Sequence, residues 1–139
     1  MIVMKFGGTS VGSAERINDV AQLVKSYQNS KPVVVTSAMT QITNQLEDMA
    51  RLATTGNRKR VIAAKLAALK SAHNQAISGL GLEPSAEAAL RAIIDDKTAK
   101  LGNILKSVTA LGELTPRGRD LIRSFGERLS IHLVAAALN

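Results

Sequence analysis

The chain has no cysteine and no tryptophan, and only one tyrosine and two phenylalanines among 139 residues. Without thiols, disulfides, cysteine nucleophiles and zinc–cysteine centres are excluded, and two isolated histidines make no zinc site on their own. Long apolar runs are also missing. Stretches such as LVAAAL near the end fall well short of the ~20 residues a membrane helix needs, so no membrane partner is expected. The opening MIVMKF places its lysine after the apolar stretch, the reverse of a secretory signal, and a cytoplasmic protein is the simplest expectation. With aromatics at 2% and hydrophobic residues at 45%, a core must rest on Ala, Leu, Ile and Val, the composition of packed helices.

Acidic residues are the scarcer charge, 11 against 18 basic ones, for a net charge of +7. A basic surface collects phosphates without selectivity, which raises nucleic acid as a partner. The densest run, Arg58-Lys59-Arg60, is short, and no aromatic pattern exists on which bases could stack. The charge reads as solvated helix faces, with no nucleic-acid partner.

At this length one domain with one core is the default. Ile2, Val3, Met4 and Phe6 read as a short buried strand ended by Gly7-Gly8, and Pro32 followed by Val33-Val34-Val35 reads as a second. Between them Ile17, Val20, Ala21 and Val24 recur at helical spacing, with Ser13 as N-cap and Tyr27 at the far end. A strand–helix–strand crossover joins parallel strands, and ligands gather at the C-terminal ends of such strands. Beyond Ser37 the pattern turns helical. Ile42, Leu46, Met49, Ala50 and Ala53 form one apolar stripe, and Ile62, Leu66, Leu69, His73 and Ala76 form the next after a break at residues 54–57. A second break over residues 79–84 precedes a long helix to about Ala110, and Thr115-Pro116 starts the last one. His73 and His132 read as ordinary helix residues.

The stretch KFGGTSVG, residues 5–12, carries the chemistry. Glycines after a strand let backbone N–H groups turn toward a ligand that a Cβ would block, and the positive N-terminal end of a following helix adds to this. Phosphate is the natural guest. Lys5 would supply a compact full charge where negative charge moves between phosphate oxygens, and Thr9 and Ser10 could add hydroxyl donors. The same residues also suit a tight strand-to-helix turn with Lys5 exposed, since the pattern matches neither the P-loop nor the dinucleotide fingerprint.

Three strings together go further. KFGGTSV at the N-terminus, TSAMTQITN at residues 36–44 and SFGERLS at residues 124–130 resemble, in order and spacing, the aspartate kinases of the amino-acid kinase family. The resemblance implies an α/β fold, the N-terminal portion of a carbamate kinase-like architecture, helix-rich with a few parallel strands. It makes residues 1–139 the N-terminal lobe of a catalytic domain, with a helical insertion at about residues 42–112. It implies that Lys5 is the catalytic lysine, that Lys5, Gly7, Gly8 and Ser10 surround the ATP phosphates, and that Ser37, Ala38, Thr43 and Glu127 meet L-aspartate, Glu127 at its α-amino group. ATP and Mg2+ would be required, with no residue assigned to the metal. One departure stands out. Many members carry glycines after the SAM triplet, where this chain has Thr40 and Gln41. For Glu127 a surface ion pair with Arg123, four residues earlier, is the competing reading.

The resemblance also implies a partner. Aspartate kinases have a catalytic domain roughly twice this long, usually followed by ACT domains, so the chain is expected to be an incomplete catalytic domain with little activity alone. Its open sheet edge and uncovered face favour self-association. The alternative is a non-catalytic oligomerisation or regulatory module whose phosphate loop is vestigial.

Overall fold

A computed structural model describes residues 1–139. The first strand, β1 (Ile2–Phe6), runs into helix α1 (Ala14–Ser26), which returns the chain to the second strand, β2 (Pro32–Thr36). The strands pair in parallel with Ile2 opposite Pro32 and Phe6 opposite Thr36, as a helical crossover requires. Four further helices follow, α2 (Ile42–Ala53), α3 (Lys59–Ser78), α4 (Pro84–Leu111) and α5 (Pro116–Leu138).

The helix starts follow local chemistry. Ser13, in extended conformation, accepts a hydrogen bond from the N–H of Arg16 at 3.3 Å and caps α1. Thr115 does the same for α5 through the N–H of Gly118 at 3.0 Å, with Pro116 at the first helical position, where its missing N–H costs nothing. The apolar stripes point inward as their spacing demands, and one contiguous core of 26 buried residues runs from Val11 to Val134. Helix α5 is the hub, packing on α1, α2, α4, α3 and β2. His73 on α3 is fully buried, its Nδ1–H donating to the Leu69 carbonyl at 2.8 Å. Burial holds its pKa below the usual histidine value.

The strands, read as buried, are so on one face only, beneath the helices, and the other is the uncovered face expected of a partial sheet. Ile2, Met4, Phe6 and Val34 are half-buried beneath them, while Val3, Lys5, Val33 and Val35 lie on an open face, with Val3 64% exposed. A two-stranded sheet with one helical layer leaves no other outcome. One expectation needs correction: a helix does not follow the glycines directly. A single 3-10 turn, Gly8–Val11, intervenes, and α1 begins six residues beyond Gly8 at Ala14.

Candidate active site

The site lies at the C-terminal ends of the two strands, where three segments converge. The first is the glycine turn. The N–H of Ser10 closes it on the Gly7 carbonyl at 3.0 Å, whereas the N–H groups of Gly7, Gly8 and Thr9 find no acceptor within the chain. Gly7 has ordinary extended backbone, and a Cβ placed on it would meet nothing within 4 Å. Its glycine is therefore not demanded by packing, and the space in front of it is open to a ligand. Lys5, one residue before Phe6 on the open sheet face, is exposed and forms no ion pair. A free ammonium, three unsatisfied N–H donors and the Ser10 hydroxyl suit an anion with several oxygens.

The second segment is the loop after β2, residues 37–41. The Ser37 N–H donates to the Phe6 carbonyl at 3.0 Å, extending the ladder one step past the strands. Ala38 and Met39 then turn into the core. The glycine turn presses against this loop: a Cβ on Gly8 would come within 3.0 Å of the Ala38 carbonyl oxygen, and one on Gly12 would collide with Thr40 Oγ1. Thr40 donates that hydroxyl to the Gly8 carbonyl at 3.0 Å. Gln41 enters α2 with φ of 67°, a left-handed conformation that glycine adopts without cost, and its side chain accepts from Asn44 at 2.9 Å. The departure from the family's glycines therefore falls where the backbone would favour one.

The third segment is the middle of α5. A Cβ on Gly126 would stand 2.7 Å from the Ala38 Cβ, so the Ala38 methyl of the loop packs directly on the bare helix backbone. Four residues on, the fully buried Ser130 donates its hydroxyl to the Ser37 carbonyl. Glu127 sits between these two anchors and is exposed. Its expected competitor role fails, because Arg123 reaches across to Glu47 on α2 at 3.1 Å instead, and Glu127 has no ion pair. Thr43, half-buried in the first turn of α2, follows Ile42, whose methyl lies against the same Gly126 position.

Ser37, Ala38, Thr43 and Glu127 are thus brought to one junction, and the glycine turn with Lys5 adjoins it through Phe6, Gly8 and Thr40. Three participants were not singled out from the sequence, namely Thr40 as a tie, Gly126 as a contact and Ser130 as an anchor. The small residues at positions 126 and 130, four apart on a buried helix face, were the available signal.

A parallel strand pair joined by a helical crossover, with a glycine turn at its C-terminal end, places the chain among α/β proteins. The chain belongs to the amino acid kinase family, whose model matches residues 1–139. The relatives it matches include several aspartokinases. Chloroplastic aspartokinase 3 of Arabidopsis thaliana is 41% identical over 138 residues, which covers 99% of this chain and 23% of that protein. The aspartate kinase of Pseudomonas fluorescens is 55% identical over 53 residues, 37% of this chain and 13% of that protein. Among solved structures, E. coli aspartokinase III in complex with aspartate and ADP superposes with a TM-score of 0.82 at 27% identity, over 99% of this chain and 28% of that one. The likeness read from the three strings holds across the whole chain, which spans about a quarter of the length of these relatives.

Proposed function

We propose that this chain forms the N-terminal lobe of an aspartate kinase catalytic domain, with residues 42–112 as its helical insertion. The observation that carries the reading is the convergence of groups without partners, namely the Lys5 ammonium, the N–H groups of residues 7–9 and the Glu127 carboxylate, around one tightly packed loop. Packing alone does not explain why these groups are left free.

In the proposed reaction a β-carboxylate oxygen of L-aspartate attacks the γ-phosphorus of ATP. The bond from that phosphorus to the bridging oxygen breaks, and ADP leaves with the electron pair, giving 4-phospho-L-aspartate. No covalent enzyme intermediate forms, so positioning and charge stabilisation carry the catalysis. Lys5 neutralises charge on the transferring group, and Gly7, Gly8 and Ser10 hold the phosphate oxygens. Glu127 takes the α-ammonium of aspartate, while Ser37, Ala38 and Thr43 shape its side of the pocket. ATP chemistry implies Mg2+, but no three His, Asp or Glu side chains converge here to hold a metal, and no step is assigned to one.

On this reading the adenine and ribose pocket, and any ACT domains, come from the rest of the enzyme. The 139 residues alone should bind nucleotide weakly, turn over little, and self-associate through the open sheet face. Calorimetric titration with ATP and, separately, L-aspartate tests it. ATP binding should be lost in Lys5→Ala and aspartate binding in Glu127→Ala, with the fold retained by circular dichroism. Binding indifferent to both substitutions would reject the site, and full-rate aspartyl phosphate formation by this chain would reject its incompleteness.

A further inference from the structure

We propose that a groove between α3 and α4, remote in sequence from the glycine turn, binds an amphipathic monoanion, a carboxylate carrying an alkyl chain. The groove has a volume of about 650 Å³, within the range of small-molecule sites. Its floor is apolar: Ile62 and Leu66 from α3 face Leu105 from α4, across Gly102. The bare helix surface at Gly102 keeps the floor low, since a Cβ there would reach Leu66 Cδ2 at 3.0 Å.

The mouth is positive. Lys59 and Lys106 line it, and no acidic side chain does. Neither lysine forms an ion pair, nor do the neighbouring Arg58 and Arg60. Lys59 is also the first residue of α3, and this 20-residue helix starts unaided: Arg58 at its cap makes no side-chain hydrogen bond, and the first turn holds no acidic residue. Its free N–H groups and positive dipole end therefore add to the two ammonium groups at the same place.

An apolar floor with a cationic mouth selects a ligand of matching polarity. A neutral hydrocarbon would bury the floor yet desolvate the lysines without return, and a cation would be repelled. A multiply charged anion would find no use for the floor. An alkyl carboxylate satisfies both ends, its tail along Ile62, Leu66 and Leu105 and its head between Lys59, Lys106 and the α3 terminus. The inference stands apart from the phosphate site, since it uses none of that site's residues.

The test uses octanoate, 1-octanol and octylammonium as probes, with binding read by calorimetry and by two-dimensional NMR shifts at residues 56–66 and 102–110. Octanoate should saturate one site and bind about tenfold tighter than 1-octanol, the sum of a helix-end and a surface charge contribution. Octylammonium should not bind. The double variant Lys59→Gln/Lys106→Gln, both changes at exposed positions, should lower octanoate affinity by about threefold, the surface-charge part of that factor, without altering binding of 1-octanol. Ala63→Trp, filling the groove from an exposed position on α3, should abolish binding of both. Equal affinity for octanoate and octanol, insensitivity to Ala63→Trp, or no saturable binding would overturn the proposal. So would a dimer, seen by sedimentation, whose formation octanoate does not oppose and whose interface shifts map to this groove.

Discussion

Gly126 offers a test in which two effects of known sign compete. It lies inside α5, where replacing glycine by alanine stabilises an exposed helix by about 1 kcal/mol. In Gly126→Ala the new methyl would stand 2.7 Å from the Ala38 Cβ and 3.4 Å from Leu46 Cδ1. A side-chain tip could move aside, but the Ala38 Cβ moves only with its backbone. That backbone is held on one side by the Ser130–Ser37 hydrogen bond and on the other by the close approach of Gly8 to the Ala38 carbonyl. Overpacking a fixed neighbour costs about 2–3 kcal/mol, so the helix gain loses and the net expectation is destabilisation by about 1–2 kcal/mol. Gly102→Ala in α4 is the control. Its methyl would meet only Leu66 Cδ2 at 3.0 Å, the far end of a half-buried side chain, so the helix gain should win by about 0.5 kcal/mol. Urea unfolding followed by circular dichroism, fitted with a common slope, reads both changes. The double variant Gly126→Ala/Ala38→Gly should recover part of the loss, because the two sites are in contact. A Gly126→Ala protein as stable as the parent would show that the loop at residues 37–41 yields freely, and the argument for its rigidity would fail.

Thr40→Val keeps the shape of the residue but removes the 3.0 Å hydrogen bond to the Gly8 carbonyl, and should cost about 0.5–1 kcal/mol. Amide exchange in residues 8–12 should quicken while that of α4 stays constant; uniform quickening would mean that the tie is not local. Gln41→Gly relieves about 1 kcal/mol of left-handed strain and gives back about 0.5 kcal/mol as unfolded-chain entropy, so the urea midpoint should rise slightly. A fall of 1 kcal/mol or more would mean that the Gln41–Asn44 contact outweighs the strain. His73 is buried with its Nε2 unpartnered and its pKa lowered by burial. As pH falls through about 6.5 the unfolded chain takes up the proton first, so stability present above that pH should decline by up to about 1.4 kcal/mol per pH unit. His132, lowered by burial and then by Lys97, acts in the same direction. His73→Leu should flatten the profile between pH 7 and 5.5, and an unchanged slope would remove His73 as its source.

Much of the architecture was legible because local rules act without help from distant residues. The Ser13 and Thr115 caps, the proline at the start of α5, and the stripes from Ile42 to Ala53 and from Ile62 to Ala76 all specify helices through contacts a few residues away. Which side of each strand stays open was harder to read, since Val-rich strands look the same whether one or two faces are covered. The site divides along similar lines. Lys5, the glycines and Glu127 stood out by residue type, but Arg123 chose Glu47, 76 positions away in the chain, over the nearer Glu127, a choice set by how α2 and α5 pack. Ser130 and Gly126 are unremarkable as residue types. Their importance comes from being small or hydroxyl-bearing at the spot where a helix meets a loop.

The Ser130–Ser37 bond joins residues 93 apart in sequence. During synthesis β1, α1 and β2 leave the ribosome long before α5 exists, and the strand pairing itself is drawn from residues 2–36, though α1 packs chiefly on α5. The loop at residues 37–41 has no such local source of order, because the surface that shapes it is made last. Order in that loop is therefore a late, long-range event, of the kind that slows folding, and a nascent chain halted before Ser130 should show β2 protected while residues 37–41 still exchange freely.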